Sequence, residues 1–281
     1  MRGVLRVNHT MIAASVSMAA LQRKLDLIAD NIANIGTVGY KSKDAAFAEV
    51  LSAFLGQEPE FARDGRRTPL GLPLGGGARV VGILTDLSPG SPQETGVPTD
   101  LMLEGNFLFE LQTDEGERRF TRHGAFQWRI ENIPGDLRLV SADGLSVVNT
   151  DDEPVIVPAG YEFRVGADGA MTAVSPDGTD VVDLGTLKAV EPVRPEFLRP
   201  AGENLFAIPE DVNPDDVVRV PDAAGDGPAV SVRQGFLEAS NVDPTREMTE
   251  LTAVLRAYQL NARALSSGDQ MLQLAANLRG G

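Results

Sequence analysis

Two stretches of this chain carry residue types that could do chemistry. Thr121-Arg122-His123-Gly124 sets a hydroxyl, a permanent cation and an imidazole side by side, and Asp143, Asp151, Asp152 and Glu153 follow closely enough to be folded beside it. Nucleophilic catalysis needs a nucleophile with an orienting base at a recognisable spacing, and neither spacing is present. The cluster reads as a turn plus a solvated face. The carboxylates at 151–153 could attract Ca²⁺, yet the Asp-x-Asp-x-Asp-Gly pattern of a calcium loop is absent. The second stretch, Gly75-Gly76-Gly77, could be mistaken for a phosphate cradle. No Lys-Ser/Thr follows it, no convincing strand precedes it and no helical pattern comes after, so it reads as a flexible linker. There is no cysteine, and His9 and His123 are the only imidazoles. No catalytic, cofactor-binding or metal-binding residue is assigned, no cofactor is expected, and the chain is read as a non-enzyme.

Charge and proline divide the chain into three. Net charge is −15, but residues 1–43 hold six Lys/Arg against two Asp/Glu and residues 232–281 hold five of each, so the middle carries −19. Such a surface excludes nucleic acid as a natural partner. Of 18 prolines, 17 fall in 44–231, so the two ends are free to be helical while the middle is broken into short elements.

Both ends show the same apolar spacing. In the first, Met11, Ala14, Met18, Leu21, Leu25, Ile28, Ile32 and Ile35 recur every three and four residues, which predicts a helix over about 8–34. In the second, Met248, Leu251, Leu255, Tyr258, Ala262, Leu265, Leu272 and Ala276 do the same after Pro244, with Asp269 interrupting. Asp243 or Asn241 can cap that helix and Pro244 suits its first turn. Each stripe alone would be exposed, so the ends are expected to meet, either within one molecule or with copies of it. Arg2 and Arg6 before Met11–Ala20 could suggest a signal peptide, but the stripe runs on past any cleavage point to Ile35. No stretch approaches the length of a membrane span.

The middle reads differently. Ala45–Leu55 is expected to extend a short helix, and Gly56–Gly77 is rich in Gly, Pro and charge. From Arg79 short Val-, Ile-, Leu- and Phe-rich runs take over, at Arg79–Leu87, Leu101–Leu111, Arg118–Ile130, Leu137–Val140, Leu145–Val148, Val155–Val157, Glu162–Val165, Ala170–Val174, Val181–Val190 and Leu205–Ile208. Turns at Asp143-Gly144, Asp168-Gly169 and Asp177-Gly178 separate them, which predicts an antiparallel β domain, a sandwich or irregular barrel. The expected fold class is therefore α+β: long terminal helices pairing in a coiled-coil-like bundle around a central all-β domain. The expected divisions are 1–43, an N-terminal assembly helix; 44–78, a connector; 79–231, a β-rich outer domain; and 232–281, a C-terminal assembly helix.

Several of these stretches are similar to one family. Leu21-Gln22-Arg23-Lys24-Leu25-Asp26 followed by Asp30-Asn31-Ile32-Ala33-Asn34-Ile35-Gly36-Thr37-Val38-Gly39-Tyr40-Lys41 resembles the N-terminal signature of the bacterial flagellar rod and hook proteins. At the other end, Gln234-Gly235-Phe236-Leu237-Glu238-Ala239-Ser240-Asn241-Val242-Asp243, then Glu247-Met248, Arg256–Ala262 and Asp269–Leu272, resemble the same family. So do Asp100–Phe109, Phe120–Phe126, Gly185-Thr186-Leu187 and Gly202–Phe206, although Asn106 stands where a glycine is usual and Phe120 where a tyrosine is usual. The resemblance implies an axial structural protein of the flagellar basal body, self-assembling into the rod that transmits torque and forms part of the export channel. Its partners would be copies of itself, other rod and hook proteins, and the flagellar type III export apparatus, through which it would travel without a cleaved signal peptide. The connector would be where family members vary and neighbours touch. Met11, Met18, Leu21, Leu25, Ile28, Ile32, Met248, Leu251, Leu255, Tyr258, Leu265 and Leu272 are the expected assembly seam. A hook-type protein, usually with larger inserted outer domains, is the alternative; a coiled-coil-anchored surface or adhesion protein and a ligand module on the β domain are the others.

Overall fold

The computed structural model describes residues 2–49, 53–55, 72–74, 76–131, 135–202, 204–221 and 230–277. Residues 56–71 and 75, which make up most of the expected linker and include the first of the three glycines, lie outside them. The chain divides into two compact units, one of residues 1–32, 43–84 and 244–281 and one of residues 33–42 and 85–243.

The first unit contains the two long helices, Arg2–Ala33 and Pro244–Asn277. Absence of interior proline lets both run uninterrupted, and Pro244 supplies the pre-set φ of a first turn. The helices lie antiparallel, as their cross-links show. Asn31 donates to Glu247 at 3.1 Å, Lys24 pairs with Glu250 at 3.0 Å, and Gln22 donates to the Tyr258 hydroxyl at 3.2 Å. The described part of the expected Ala45–Leu55 helix, residues 45–49 and 53–55, is strand and not helix. Lys43–Glu49 is a strand paired with Ala78–Thr85, and Ala53–Leu55 pairs antiparallel with Leu72–Leu74, which also puts a strand ahead of the glycines. Alanine favours helix locally, but partners from later in the chain, with Val80, Val81 and Ile83 among them, override so weak a preference. Gly77 (φ +92°) brings its strand onto the N-terminal helix: a Cβ there would lie 2.6 Å from the Ala13 carbonyl, and Ala78 N–H donates to Ser17 Oγ at 3.2 Å.

The expected coiled-coil-like α+β class is corrected by these contacts. Among the described residues the chain is mainly β, with twenty-one strands against three α-helices. The contacts that link the two helices are polar side-chain pairs, and among the described residues no interlocking apolar rows are shown between them. On the C-terminal helix the covered line runs through Glu247, Val254 and Gly268, while Met248 and Leu255 are 52% and 42% exposed. The cause is a third partner. The N-terminal helix also packs on strand backbone through Ala13, Ser17 and Asn31, so one heptad line cannot serve all its neighbours.

The second unit is a β body whose strand pairs all run antiparallel. Its ten-stranded sheet is built around Leu108–Gln112, which pairs with Arg118–Thr121, Ser146–Val147 and Ala189–Pro192. Alternation along that strand sends Phe109 and Leu111 into one core, with Leu139, Val147 and Met171, and Leu108 into a second, with Phe120, Val190 and Phe206. Phe109 meets Phe126 edge-on at 5.2 Å, and Trp128 meets Phe163 at 5.4 Å. Glu162–Val165, Ala170–Val174 and Val181–Thr186 form a meander turned at Asp168-Gly169 and Asp177-Gly178. Three runs expected as single strands are each split in two. Leu101–Leu111 breaks at Gly105 (φ +88°), Arg118–Ile130 at Arg122–Ala125, and Val181–Val190 at Leu187-Lys188.

Candidate functional site: motif residues gathered around a buried ion cluster

The Thr-Arg-His-Gly stretch proves to be an interior knot of the second unit. Arg122 is only 2% exposed. Its Nε donates to Glu238, its Nη1 to the Phe107 carbonyl, and its Nη2 to the carbonyls of Leu103 at 2.8 Å and Gly105 at 2.6 Å. The guanidinium thus spends its planar fork inside the protein. It also explains the break at Gly105, because the chain must turn there to aim three carbonyls at one cation.

Glu238, 116 residues away, is the counter-charge and is equally buried. It accepts from Lys41 Nζ at 2.8 Å and from Gly90 N–H at 2.5 Å, and Lys41 also donates to the Ser88 carbonyl at 2.6 Å. Burial alone would raise the Glu238 carboxyl, but Arg122 and Lys41 on either side hold it below its ordinary value. Burial pushes the Lys41 ammonium down, against the pull of Glu238. Around this cluster the other motifs close in. Thr121 donates to the Asn204 carbonyl at 2.8 Å, Asn204 donates to the Val38 carbonyl at 3.2 Å, and Gly39 N–H donates to the Glu238 carbonyl at 2.7 Å. Thr-Val-Gly-Tyr-Lys, Thr-Arg-His-Gly, Gly-Glu-Asn-Leu-Phe and Phe-Leu-Glu-Ala-Ser-Asn therefore meet at one place. Spacing in the sequence carried no sign of this, and the only available signal was four motifs each holding an unexplained charge or glycine.

His123 is partly buried, which lowers its imidazole against the opposing pull of Asp143 and Asp100. Asp151, Asp152 and Glu153 belong to a turn organised by Asn149, whose Oδ1 accepts from the backbone N–H of residues 151 and 153. Asp152 bonds Lys188, which holds its carboxyl below the ordinary value, and Lys188 in turn pairs with buried Glu110 at 3.0 Å. The turn is not brought to Arg122. Among the described residues no group of three or more His, Cys, Asp or Glu side chains could hold a metal ion, and no helix is long and apolar enough to cross a membrane.

In the first unit, the expected seam residues are placed as follows. Ile28 is buried; Met11, Met18, Leu21, Leu25, Ile32, Leu251, Tyr258, Leu265 and Leu272 are partly covered; Met248 and Leu255 are exposed. Leu260, Met271 and Leu274 on the same helix are exposed as well. Near the helix start, Glu247 is buried and its Oε1 accepts from Asn31, while its Oε2 has no hydrogen-bond partner among the described residues. Burial raises this carboxyl, and neighbouring Glu250 adds to the effect against the Asn31 bond. Asn241, a candidate cap, instead directs its amide to Ser42, Asp86 and Ser88.

Residues 13–41 match the family described as "Flagella basal body rod protein", and residues 233–278 match the family described as "Flagellar basal body rod FlgEFG protein C-terminal". The chain is 31% identical over 277 residues to the flagellar hook-basal body complex protein FlhP of Bacillus subtilis, covering 96% of this chain and 99% of that protein. It is 31% identical over 271 residues to the flagellar basal-body rod protein FlgG of Agrobacterium fabrum, covering 95% and 98%. The FlgG of Bacillus subtilis is 31% identical over 264 residues, covering 93% and 96%.

Proposed function

The chain belongs to the family of flagellar basal-body rod proteins and is a structural component of that rod, and we propose that the terminal helices carry the surface through which its copies meet. The observation that carries this reading is the set of exposed large apolar side chains on the C-terminal helix, Met248, Leu255, Leu260, Met271 and Leu274. Apolar residues gathered on one helix call for a partner, and a contact between unlike surfaces of identical copies propagates as an open helical array. In this reading residues 1–43 and 232–281 form the assembly core and 79–231 the outer part, with the −19 of the middle keeping free copies apart. The protein works by position and stiffness and not by catalysis. It reaches the basal body through the flagellar export channel and meets other rod and hook proteins there.

Electron microscopy of the concentrated purified protein tests the reading. Helical tubes or stacked rings are expected. Protein that stays monomeric at every concentration, with and without salt, would remove the case for self-assembly through this surface.

A further inference from the structure

The chain passes between its two compact units four times, at residues 32/33, 42/43, 84/85 and 243/244. Beside the last three passages, the second unit ties the strands of chain to one another. Asn241 accepts from Ser42 N–H at 2.8 Å through Oδ1 and donates through Nδ2 to the carbonyls of Asp86 at 2.8 Å and Ser88 at 3.1 Å. Asp86 N–H donates to the Ser42 carbonyl at 2.8 Å, and Ala239 N–H to that of Ser91 at 2.9 Å. Lys41 and Glu238 repeat the three-way link through Ser88 and Gly90. Segments 39–42, 86–91 and 238–241, far apart in sequence, are thus laced side by side. The approach is close enough to require glycine, since a Cβ on Gly90 would sit 2.0 Å from the Ala239 carbonyl.

We infer that this lacing is a load-sharing clasp. In a rod that carries torque, these covalent passages are a route by which force passes along the chain from one unit to the other. A lone segment peels from a β body one hydrogen bond at a time, whereas three segments tied together must yield together. Asn241 is the positioning residue of the clasp: it contributes little apolar burial, yet from beside one passage its single amide reaches the segments beside the other two. The inference rests on the structural rod reading and adds to it the place where load is shared.

The test uses Asn241→Ala and the milder Asn241→Asp, which keeps the acceptor for Ser42 and loses both donations. In the purified full chain, each should shift the unfolding midpoint by only a few degrees. Amide exchange at Ser42 and Asp86 should rise about tenfold in Asn241→Ala, and less in Asn241→Asp. In cells carrying the variant as their sole copy, flagella should form in normal number and swim normally in dilute buffer. In viscous medium, speed should fall by at least about half relative to wild type, a loss that a merely structural role would not confine to high load. Unchanged speed under load overturns the clasp. So does loss of flagella with the purified variant folded, and so does unfolding of both variants, which would make Asn241 a stability element. Normal swimming when the gene is deleted would instead refute the rod reading itself.

Discussion

The Arg122 guanidinium donates through Nε to the Glu238 carboxylate with both side chains 2% exposed, so a complete ion pair lies inside the β body. Lys41 makes it a triad with one anion between two cations. Glu238→Gln leaves both cations buried without their counter-charge and should cost about 3–5 kcal/mol. The chain has one tryptophan, Trp128, inside this unit, so its fluorescence during urea unfolding reports the loss directly. A change below about 1 kcal/mol would mean that the triad is not the organising contact.

The same carboxylate sets an acid limit. Its value in the folded protein is held below the ordinary 4.5, so its contribution is present above about pH 4.5 and is lost as pH falls through the folded value. Unfolding midpoints followed at Trp128 should drop on acidification in this window. In Glu238→Gln the drop should be shallower.

Glu247 has the opposite sign. Burial raises it, so the folded helix pair binds its proton more tightly than the unfolded chain does. Its contribution is full below about pH 4.5 and is lost as pH rises through the folded value. Thermal melts followed at the helical circular dichroism band should show the helices losing stability on that rise. Glu247→Gln, which keeps the acceptor for Asn31, should flatten the slope; an unchanged slope would assign it to another group.

Leu255 separates assembly from folding. Because it is 42% exposed, Leu255→Asp should move monomer stability by no more than about 0.5 kcal/mol, yet it places a carboxylate at every repeat of a subunit contact. Assembly by light scattering should fail, while Arg256→Asp, also exposed, should still assemble. Unfolding of the Leu255→Asp monomer would count against this division of roles.

Gly124 is required by close approach. A Cβ there would lie 1.7 Å from the Leu101 carbonyl oxygen, a backbone atom with no flexible end to yield. Gly124→Ala should cost about 3 kcal/mol or more in urea unfolding, with loss of the near-ultraviolet signal of Trp128.

Local pattern alone determined a good deal of this protein. Freedom from proline and a three-and-four spacing specify both long helices, because helix hydrogen bonds close within four residues. Glu162–Val165 and Ala170–Val174 are strands as their alternation and Asp-Gly turns predict, since a short loop ending in glycine at φ +82° is decided by its own φ requirements. Likeness of motifs was legible too, but not what the motifs do. Thr121-Arg122-His123-Gly124 looks like chemistry in one dimension and becomes a buried anchor only because Glu238 and Lys41 arrive from either end of the chain. Ala45–Leu55 looks helical until Ala78–Thr85 and Leu72–Leu74 offer edges to pair with. Met248 and Leu255 fit the same spacing as covered Leu251, yet only the strand backbone and polar links that occupy the helices' inner sides decide which of them face water. Spacing describes a chain's own geometry over a few residues. Burial of a charge or an apolar row depends on what occupies the other side, and that partner comes from distant sequence.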